Sequence, residues 1–324
     1  MTVVLAAYNH AEFVRAAVMS VLDQTLHDLE LIVVDDGSSD GTPDVVAAIR
    51  DPRLSLIRMP LNRAVHPRNL AIGRARGRFI AFQNSDDVWS PAKLAAQVAA
   101  MEARPELALC CTATRIIGAD GAPDGDNWAN GLFTTENRAG LAWLRHFFDI
   151  GNCLAISSAM VRRRQLLRLG GFRASLVQLS DFDLWVRLAA IGEIAILPDA
   201  LCDIRIVEGR NLSGPSPAAG RRTQIELASV LENFAVPPLL DRLPEIFPEL
   251  RDMTTRGARK VALARRWWPR DGGYALFADR VIAQVMENQA ERAEAVAALG
   301  PDFIHDFIAR RGQAAFHLQN GAPQ

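Results

Sequence analysis

Four short aliphatic or β-branched runs alternate with four amphipathic stretches in the first third of this 324-residue chain, and that alternation most restricts the fold. Thr2 to Ala7, Glu30 to Val34, Leu54 to Ile57 and Phe79 to Phe82 have the length and composition of strands. Ala11 to Leu22, Thr42 to Ile49, His66 to Arg74 and Pro91 to Ala103 carry apolar residues at helical spacing. Parallel neighbours need long crossovers, so this order predicts an α/β fold with a mostly parallel sheet and helices on both faces. Asp40-Gly41-Thr42-Pro43 predicts Thr42 as an N-cap with Pro43 at the first helical position, and Ser90-Pro91 repeats the device.

In such a sheet the segments leaving the carboxyl ends of the strands line the ligand crevice. Three of them carry chemistry. Tyr8-Asn9-His10 follows the first strand, Asp35-Asp36-Gly37-Ser38-Ser39-Asp40-Gly41-Thr42 the second, and Asn84-Ser85-Asp86-Asp87 the fourth. Carboxylates as closely spaced as Asp86 and Asp87 ask for a cation, while an aromatic such as Tyr8 can stack on a planar ligand. Each group also has a plainer reading: Tyr8 as a core aromatic at a strand end, the Asp-Gly-Ser run as a turn and helix cap, Asp86 and Asp87 as caps for the next helix. The spacing Asp36-x-Ser38-x-Asp40-Gly41 brushes against a calcium loop, but Ala47 stands at its twelfth position and a strand precedes it.

With 49% hydrophobic and 23% charged residues, the chain has the composition of a globular protein. A formal net charge of -1 supplies no overall field for nucleic acid, which is not an expected partner. Cys110, Cys111, Cys153 and Cys202 show no C-x-x-C spacing and read as buried thiols in a reducing, cytoplasmic setting. The chain opens without a basic n-region, and no 18 apolar residues run together, so a soluble or at most peripheral protein is expected. Six scattered histidines form no defensible site, and P-loop and dinucleotide fingerprints are absent. A flexible loop at Gly118 to Asn130 separates the regular first half from a second one. That second half has predicted helices at Leu141 to Phe148, Arg163 to Leu169 and Asp181 to Ala190, then strands at Ile194 to Leu197 and Leu201 to Ile206. Gly209 to Gly220 reads as a linker, and helices dominate beyond it. There, the basic stretch Arg256 to Arg270 with Trp267 and Trp268 suits either an anionic membrane surface or, more simply, a solvated helix face; Arg162-Arg163-Arg164 reads as solvated too.

Several stretches form an ordered set: Ala7-Tyr8-Asn9; Ser20 to Thr25; Glu30-Leu31-Ile32-Val33-Val34-Asp35-Asp36-Gly37-Ser38-Ser39-Asp40-Gly41-Thr42; Arg68-Asn69-Leu70-Ala71-Ile72; Ala75 to Phe82; Ser85 to Leu94; Gly170-Gly171-Phe172; and Asp181-Phe182-Asp183-Leu184-Trp185-Val186-Arg187-Leu188. Over residues 1 to 213 this set resembles the family-2 glycosyltransferases, inverting enzymes of GT-A fold that use nucleotide sugars. The resemblance implies that Tyr8 and Asp36 hold the nucleobase and that Arg68, Asn84 and Ser85 lie along the nucleotide. It places Asp86, with Asp87 as accessory, on a divalent cation, Mn²⁺ or Mg²⁺. Asp181 becomes the base that deprotonates the acceptor; without the family, a helix N-cap is its simpler role. It further implies a UDP-sugar donor, a saccharide or lipid-linked acceptor in cell-surface polysaccharide or glycoconjugate synthesis, and placement in the cytoplasm or at the inner membrane face. The chain departs from the family where Asn84 replaces the first acid of D-x-D, Ser180 replaces an acidic neighbour of the base, and Ile204-Arg205-Ile206-Val207 lacks a frequent His. The expected organisation is a GT-A domain over 1–213, with a nucleotide-sugar half at 1–115 and an acceptor half at 116–213, followed by a helical region at 214–324. The alternative function is a nucleotide-sugar-binding module with impaired catalysis. A sugar nucleotidyltransferase is weakened by the lack of a glycine-rich basic loop after the first strand.

Overall fold

The computed structural model of the chain describes residues 1–62, 66–133, 136–211, 214–268 and 270–310. Two compact units are present, Met1–Pro215 and Ser216–Gln324. The first begins β1 (Thr2–Ala7), α1 (Val14–Leu22), β2 (Glu30–Asp35), α2 (Thr42–Ala47), β3 (Leu54–Arg58), α3 (Pro67–Arg74) and β4 (Phe79–Asn84). It continues β5 (Val88–Trp89), α4 (Lys93–Ala103), β6 (Leu107–Ile117), α5 (Ala142–Asp149), β7 (Met160–Arg162), α6 (Arg163–Arg168), α7 (Ser180–Ala189) and β8 (Glu193–Arg205).

These strands form one sheet in the order β3-β2-β1-β4-β7-β6-β8-β5. The four strands β3, β2, β1 and β4 are parallel, as are β6 and β8, while the short β7 and β5 run antiparallel to their neighbours. Val3, Val4, Leu5, Ile80, Ala81 and Phe82 are all fully buried, because helices cover both faces of the sheet's centre. Each large aliphatic side chain sequestered this way stabilises the fold by roughly 1.5–3 kcal/mol. On α1, Val14, Ala17, Val18 and Val21 repeat at three- and four-residue spacing and make its buried stripe.

Register sets where the ligand edge lies. Ala7 pairs with Asp35, and Ala6 pairs with Asn84, so β1, β2 and β4 end side by side. The three segments singled out above therefore leave one edge together, as the strand pattern predicts.

Several local expectations are revised. Thr42 does not cap its helix: its hydroxyl accepts the His10 N–H at 2.8 Å and donates to Asp40. Ser90-Pro91 forms a turn one step earlier, Ser90 O accepting from Lys93 N, and α4 starts at Lys93. The two strands expected within 194–206 are one strand, β8, with register irregularities opposite Thr112 and Ala113. All four cysteines are buried free thiols.

In the second unit, α8 (Pro217–Leu231), α9 (Leu243–Ile246), α10 (Arg256–Trp267), α11 (Gly273–Glu287) and α12 (Gln289–Leu299) carry the structure. Ser216, Thr255 and Asn288 supply side-chain N-caps to α8, α10 and α12. The basic α10 uses its charges inside this unit: Arg256 pairs with Asp241, Lys260 with Glu291, Arg265 with Asp306, and Arg266 with Glu249. Ala258, Val261, Leu263, Ala264 and Trp268 are buried. That pairing favours the simpler of the two readings of this stretch. No helix among the described residues is long and apolar enough to cross a membrane.

Candidate active site

Beyond β1 the chain turns sharply at Asn9, which holds a left-handed φ of 50°. The turn is fixed by the Asn9 N–H donating to Ser38 Oγ at 2.9 Å and by Asn9 Oδ1 accepting from Ser39 N at 2.8 Å. Tyr8 is left 46% exposed, which rules out a core role and presents its ring at the sheet edge. Asp36 is buried at the end of β2, where Asn62 Nδ2 donates to its carboxylate at 3.0 Å. The backbone must pass closely there: a Cβ on Gly37, at φ +74°, would sit 2.7 Å from Asn62 N. Asp40, the third acid of the calcium-like spacing, accepts from Ala11 N and Thr42 N at 3.0 and 2.9 Å and so braces the loops.

After β4 the four residues of the acidic segment face different ways. Ser85 is buried and its hydroxyl lies 2.8 Å from His10 Nδ1; burial and the Arg210 charge hold that imidazole below its ordinary pKa. Asp87 is buried, and both its oxygens are engaged. Ser157 Oγ donates at 2.5 Å and Asn84 Nδ2 at 3.1 Å to Oδ2, while Arg205 N donates at 2.9 Å to Oδ1. Asp87 thus clamps β4, the turn Ile156–Ser158 and β8 together. Asp86 is half-buried, and among the described residues no side chain bonds its carboxylate; its backbone carbonyl accepts from Arg205 Nε at 2.9 Å. Burial raises the pKa of both acids above the ordinary range, and repulsion by Asp86 adds to the rise at Asp87.

Asn84 joins this cluster to Arg68. Its Oδ1 accepts from Arg68 Nη2 at 2.6 Å while its Nδ2 donates to Asp87. Arg68 lies in the first turn of α3, with its guanidinium 5.8 Å from the Phe172 ring centroid. Its positive charge acts on Asp86 and on Asp181 alike.

Asp181 sits in the first turn of α7 and accepts the Phe182 N–H at 2.7 Å. Burial drives its pKa up to about 6, against the Phe182 amide, Arg68 and a hydrogen bond from Asn152. The helix beneath buries Phe182, Leu184, Trp185, Val186 and Leu188. Its one fully buried charge, Asp183, pairs with Arg187 at 2.6 Å and Arg173 at 2.9 Å. Arg187 also donates to the carbonyls of Leu169 and Gly171. On the other side of that loop the Asn69 amide grips Phe172, accepting its N–H at 2.9 Å and donating to its carbonyl at 2.7 Å. His66 is buried and stacked on Phe172 at 4.9 Å.

The sequence model described as glycosyl transferase family 2 matches residues 2–164, half of the chain and the whole of the strand-end constellation apart from Asp181. The chain belongs to that family. It is 48% identical over 95 residues to the succinoglycan biosynthesis protein ExoO of Rhizobium meliloti, covering 29% of this chain and 27% of that protein. Over 103 residues it is 39% identical to an Escherichia coli protein, UDP-Glc:alpha-D-GlcNAc-diphosphoundecaprenol beta-1,3-glucosyltransferase WfaP, covering 32% of this chain and 41% of that one. The matched stretch thus spans less than half the length of each of these relatives. Among solved structures, the mannosyltransferase PcManGT from Pyrobaculum calidifontis, in complex with GDP-Man and Mn²⁺, superposes with a TM-score of 0.56 at 20% identity, covering 95% of this chain and 86% of that one. The GT-A type of α/β fold expected from the sequence, with helices following it, stands.

Tyr8, Asp36, Asn84, Ser85 and Asp86 therefore lie at one sheet edge, and Arg68 joins them from α3 through its bond to Asn84, its charge acting on Asp181 as well. Asp87 belongs to the same cluster but is turned inward and already engaged, which leaves Asp86 as the acid able to meet an ion. Asn69, Asp183 and Arg187 lay inside recognised stretches without an assigned role, although the acid–base spacing of Asp183 and Arg187 is a helix ion-pair signal. Arg205 lay in the segment compared with the family without an assigned role, and Ser157, Asn62 and Asn152 carried no such signal. Among the described residues no group of three His, Cys, Asp or Glu side chains could chelate a metal unaided. One available carboxylate fits a Mg²⁺ or Mn²⁺ ion that takes its remaining ligands from water and substrate phosphates.

Proposed function

We propose that the chain transfers a sugar, with inversion, from a nucleoside-diphosphate sugar to an acceptor hydroxyl. The observation that carries the proposal is the register that ends β1, β2 and β4 side by side, which brings Tyr8, Asp36 and Asp86 to one edge where Asn84 ties Arg68 to them. In this reading, the Tyr8 ring and the Asp36 carboxylate hold the nucleobase, one by its face and the other at an N–H. Arg68 and Asp86 flank the diphosphate, Arg68 with Asn84 as its support. A divalent ion at Asp86 would neutralise charge on the departing nucleoside diphosphate. Asp181 accepts the proton of the acceptor hydroxyl as that oxygen attacks the anomeric carbon and the bond to the diphosphate breaks. A pKa of about 6 suits the task, since the group is ionised at neutral pH yet more basic than an ordinary carboxylate.

A UDP-sugar is the proposed donor, in keeping with the UDP-Glc named for the E. coli relative; its diphosphoundecaprenol acceptor and the succinoglycan role of ExoO support a saccharide or lipid-linked acceptor in polysaccharide synthesis. The GDP-Man complex of the structural neighbour makes guanine the first competitor to try. The test is Asp181→Asn, assayed for sugar transfer and, by calorimetry, for UDP and GDP binding with and without Mn²⁺. Transfer should fall by at least about 10²-fold, the lower range for loss of a general base, while nucleotide affinity is retained. Unchanged transfer would remove Asp181 from the chemistry, and failure of every nucleotide to bind the wild type would overturn the whole reading.

A further inference from the structure

At the opposite end of β4 from Asp86, the amino ends of the parallel strands carry an open cavity of about 730 Å³ walled by Arg76, Arg78, Arg162, Arg163 and Arg164, with Leu167 at its rim. From sequence, the Arg162 to Arg164 run reads as a solvated face. The fold makes it part of a site by pairing β7 with β4, Phe79 opposite Arg162, and by the Arg163 N–H donating to the Arg78 carbonyl at 3.0 Å. Stretches near residues 76–78 and 162–164 thereby bring five arginines to the wall of one hollow.

Their charges are incompletely answered. Arg76 pairs with Glu30 at 2.9 Å and Arg78 with Glu102 at 3.4 Å, but the two guanidinia are 84% and 66% exposed, and ion pairs in that setting are weak. Glu106, the remaining nearby acid, is engaged by Arg104 at 3.0 Å. Arg162 is the buried floor, held by the carbonyls of Leu107, Met101 and Arg104, with no carboxylate bonded to it. Burial lowers its pKa, and the Arg164 and Arg78 charges lower it further against the opposing charge of Glu106. The Nε of Arg163 is buried and has no hydrogen-bond partner. Arg164 and Leu167 are exposed on α6, beside the cavity.

We propose that this cavity binds a phosphate-bearing anion at a site separate from the donor site. Guanidinium groups answer phosphate oxygens with paired, parallel N–H donors, and several converging on one hollow select a group of more than one negative charge. A volume of 730 Å³ exceeds the need of a single phosphate and accommodates a diphosphate or a phospholipid headgroup, with Leu167 placed to meet an attached apolar chain. The six residues of β4 put it about 20 Å from the Asp86 edge, too far for one diphosphate to span both. The inference is independent of the proposed donor chemistry.

The test compares the full chain with Arg163→Ala/Arg164→Ala, whose folding is checked by thermal melting, and with Arg163→Lys/Arg164→Lys. Pyrophosphate is titrated calorimetrically without divalent metal at physiological salt, and flotation is measured with phosphatidylcholine vesicles with or without phosphatidic acid. The expected result is binding by the wild type that weakens at least tenfold in the Ala pair and less in the Lys pair, with UDP affinity unchanged throughout. Pyrophosphate binding alone identifies a soluble phosphate ligand; binding to anionic vesicles that pyrophosphate competes away identifies a lipid headgroup. A wild type that binds neither, or an Ala pair that binds as the wild type does, overturns the proposal.

Discussion

Between Arg68 and Asp87 the amide of Asn84 does what a carboxylate could not, accepting from a guanidinium on one side and donating to a carboxylate on the other. Where the first acid of D-x-D would stand, Asn84 adds a third donor to the buried Asp87, beside Ser157 and the Arg205 amide. Asn84→Asp, which would restore the motif, puts two carboxylates about 3 Å apart in a desolvated pocket. The variant should lose about 1–2 kcal/mol of stability at pH 8, the usual cost of leaving a buried acceptor unmatched, and recover most of it near pH 5, where the pair shares a proton. Denaturant titration at both pH values decides; equal stability at pH 8 would mean that Arg68 alone neutralises the new charge. Asn84 was legible as a departure from the family, but its partner was not, since nothing local in the sequence says that Asp87 turns inward to meet Ser157 from 70 residues away.

At the scale of elements, the placement of Asp181 depends on the loop that precedes α7. Gly171 holds φ +72°, and a Cβ there would lie 2.5 Å from Asn69 Oδ1, the atom that accepts the Phe172 N–H. Gly171→Ala should therefore cost about 2–3 kcal/mol, the left-handed backbone contributing roughly 1–2 and the displaced amide pair about 1. Because Phe172 also lies beside Arg68, the proposed transfer should weaken with it. A denaturation midpoint within error of the wild type would show that the loop relaxes freely. The helix itself was readable from its periodicity, whereas β6 was not. Leu107 to Ala113 is a continuous buried run, and a strand covered on both faces shows no alternation to distinguish it from any other apolar segment. β7, at three residues, is shorter than any periodicity can register, and only its pairing with β4 and β6 defines it.

For the whole molecule, the candidate site is a cost to stability at neutral pH. Asp86, Asp87 and Asp181 all titrate above the ordinary carboxylate range in the folded state, Asp181 at about 6 against 3.8. Between those values the folded chain binds more protons than the unfolded one, so stability falls as pH rises through that window. The acids held below their ordinary values, Asp40, Asp51 and Glu30, act in the opposite sense, but only as pH drops below about 4. His10 and His146, both held below their ordinary value, oppose this near pH 6, where the unfolded chain binds more protons at them. With three raised acids against two lowered histidines, stability measured by denaturant should still decline from pH 4.5 to 7.5, by on the order of 1–3 kcal/mol. Asp86→Asn should flatten that decline, and a steeper fall in the variant would refute the assignment of the strain to this pair. What the sequence by itself determined is whatever depends on neighbours along the chain: strand and helix periods, the turn-forming glycines, the acids waiting at strand ends, and the ordered stretches that carry family membership. The tertiary structure alone decided which of two adjacent aspartates faces outward, which arginine the Asn84 amide holds beside the acidic segment, and that two arginine clusters some 85 residues apart line one cavity. Those outcomes depend on strand register and on burial, which fix distances and dielectric between residues far apart in sequence and leave no local trace in it.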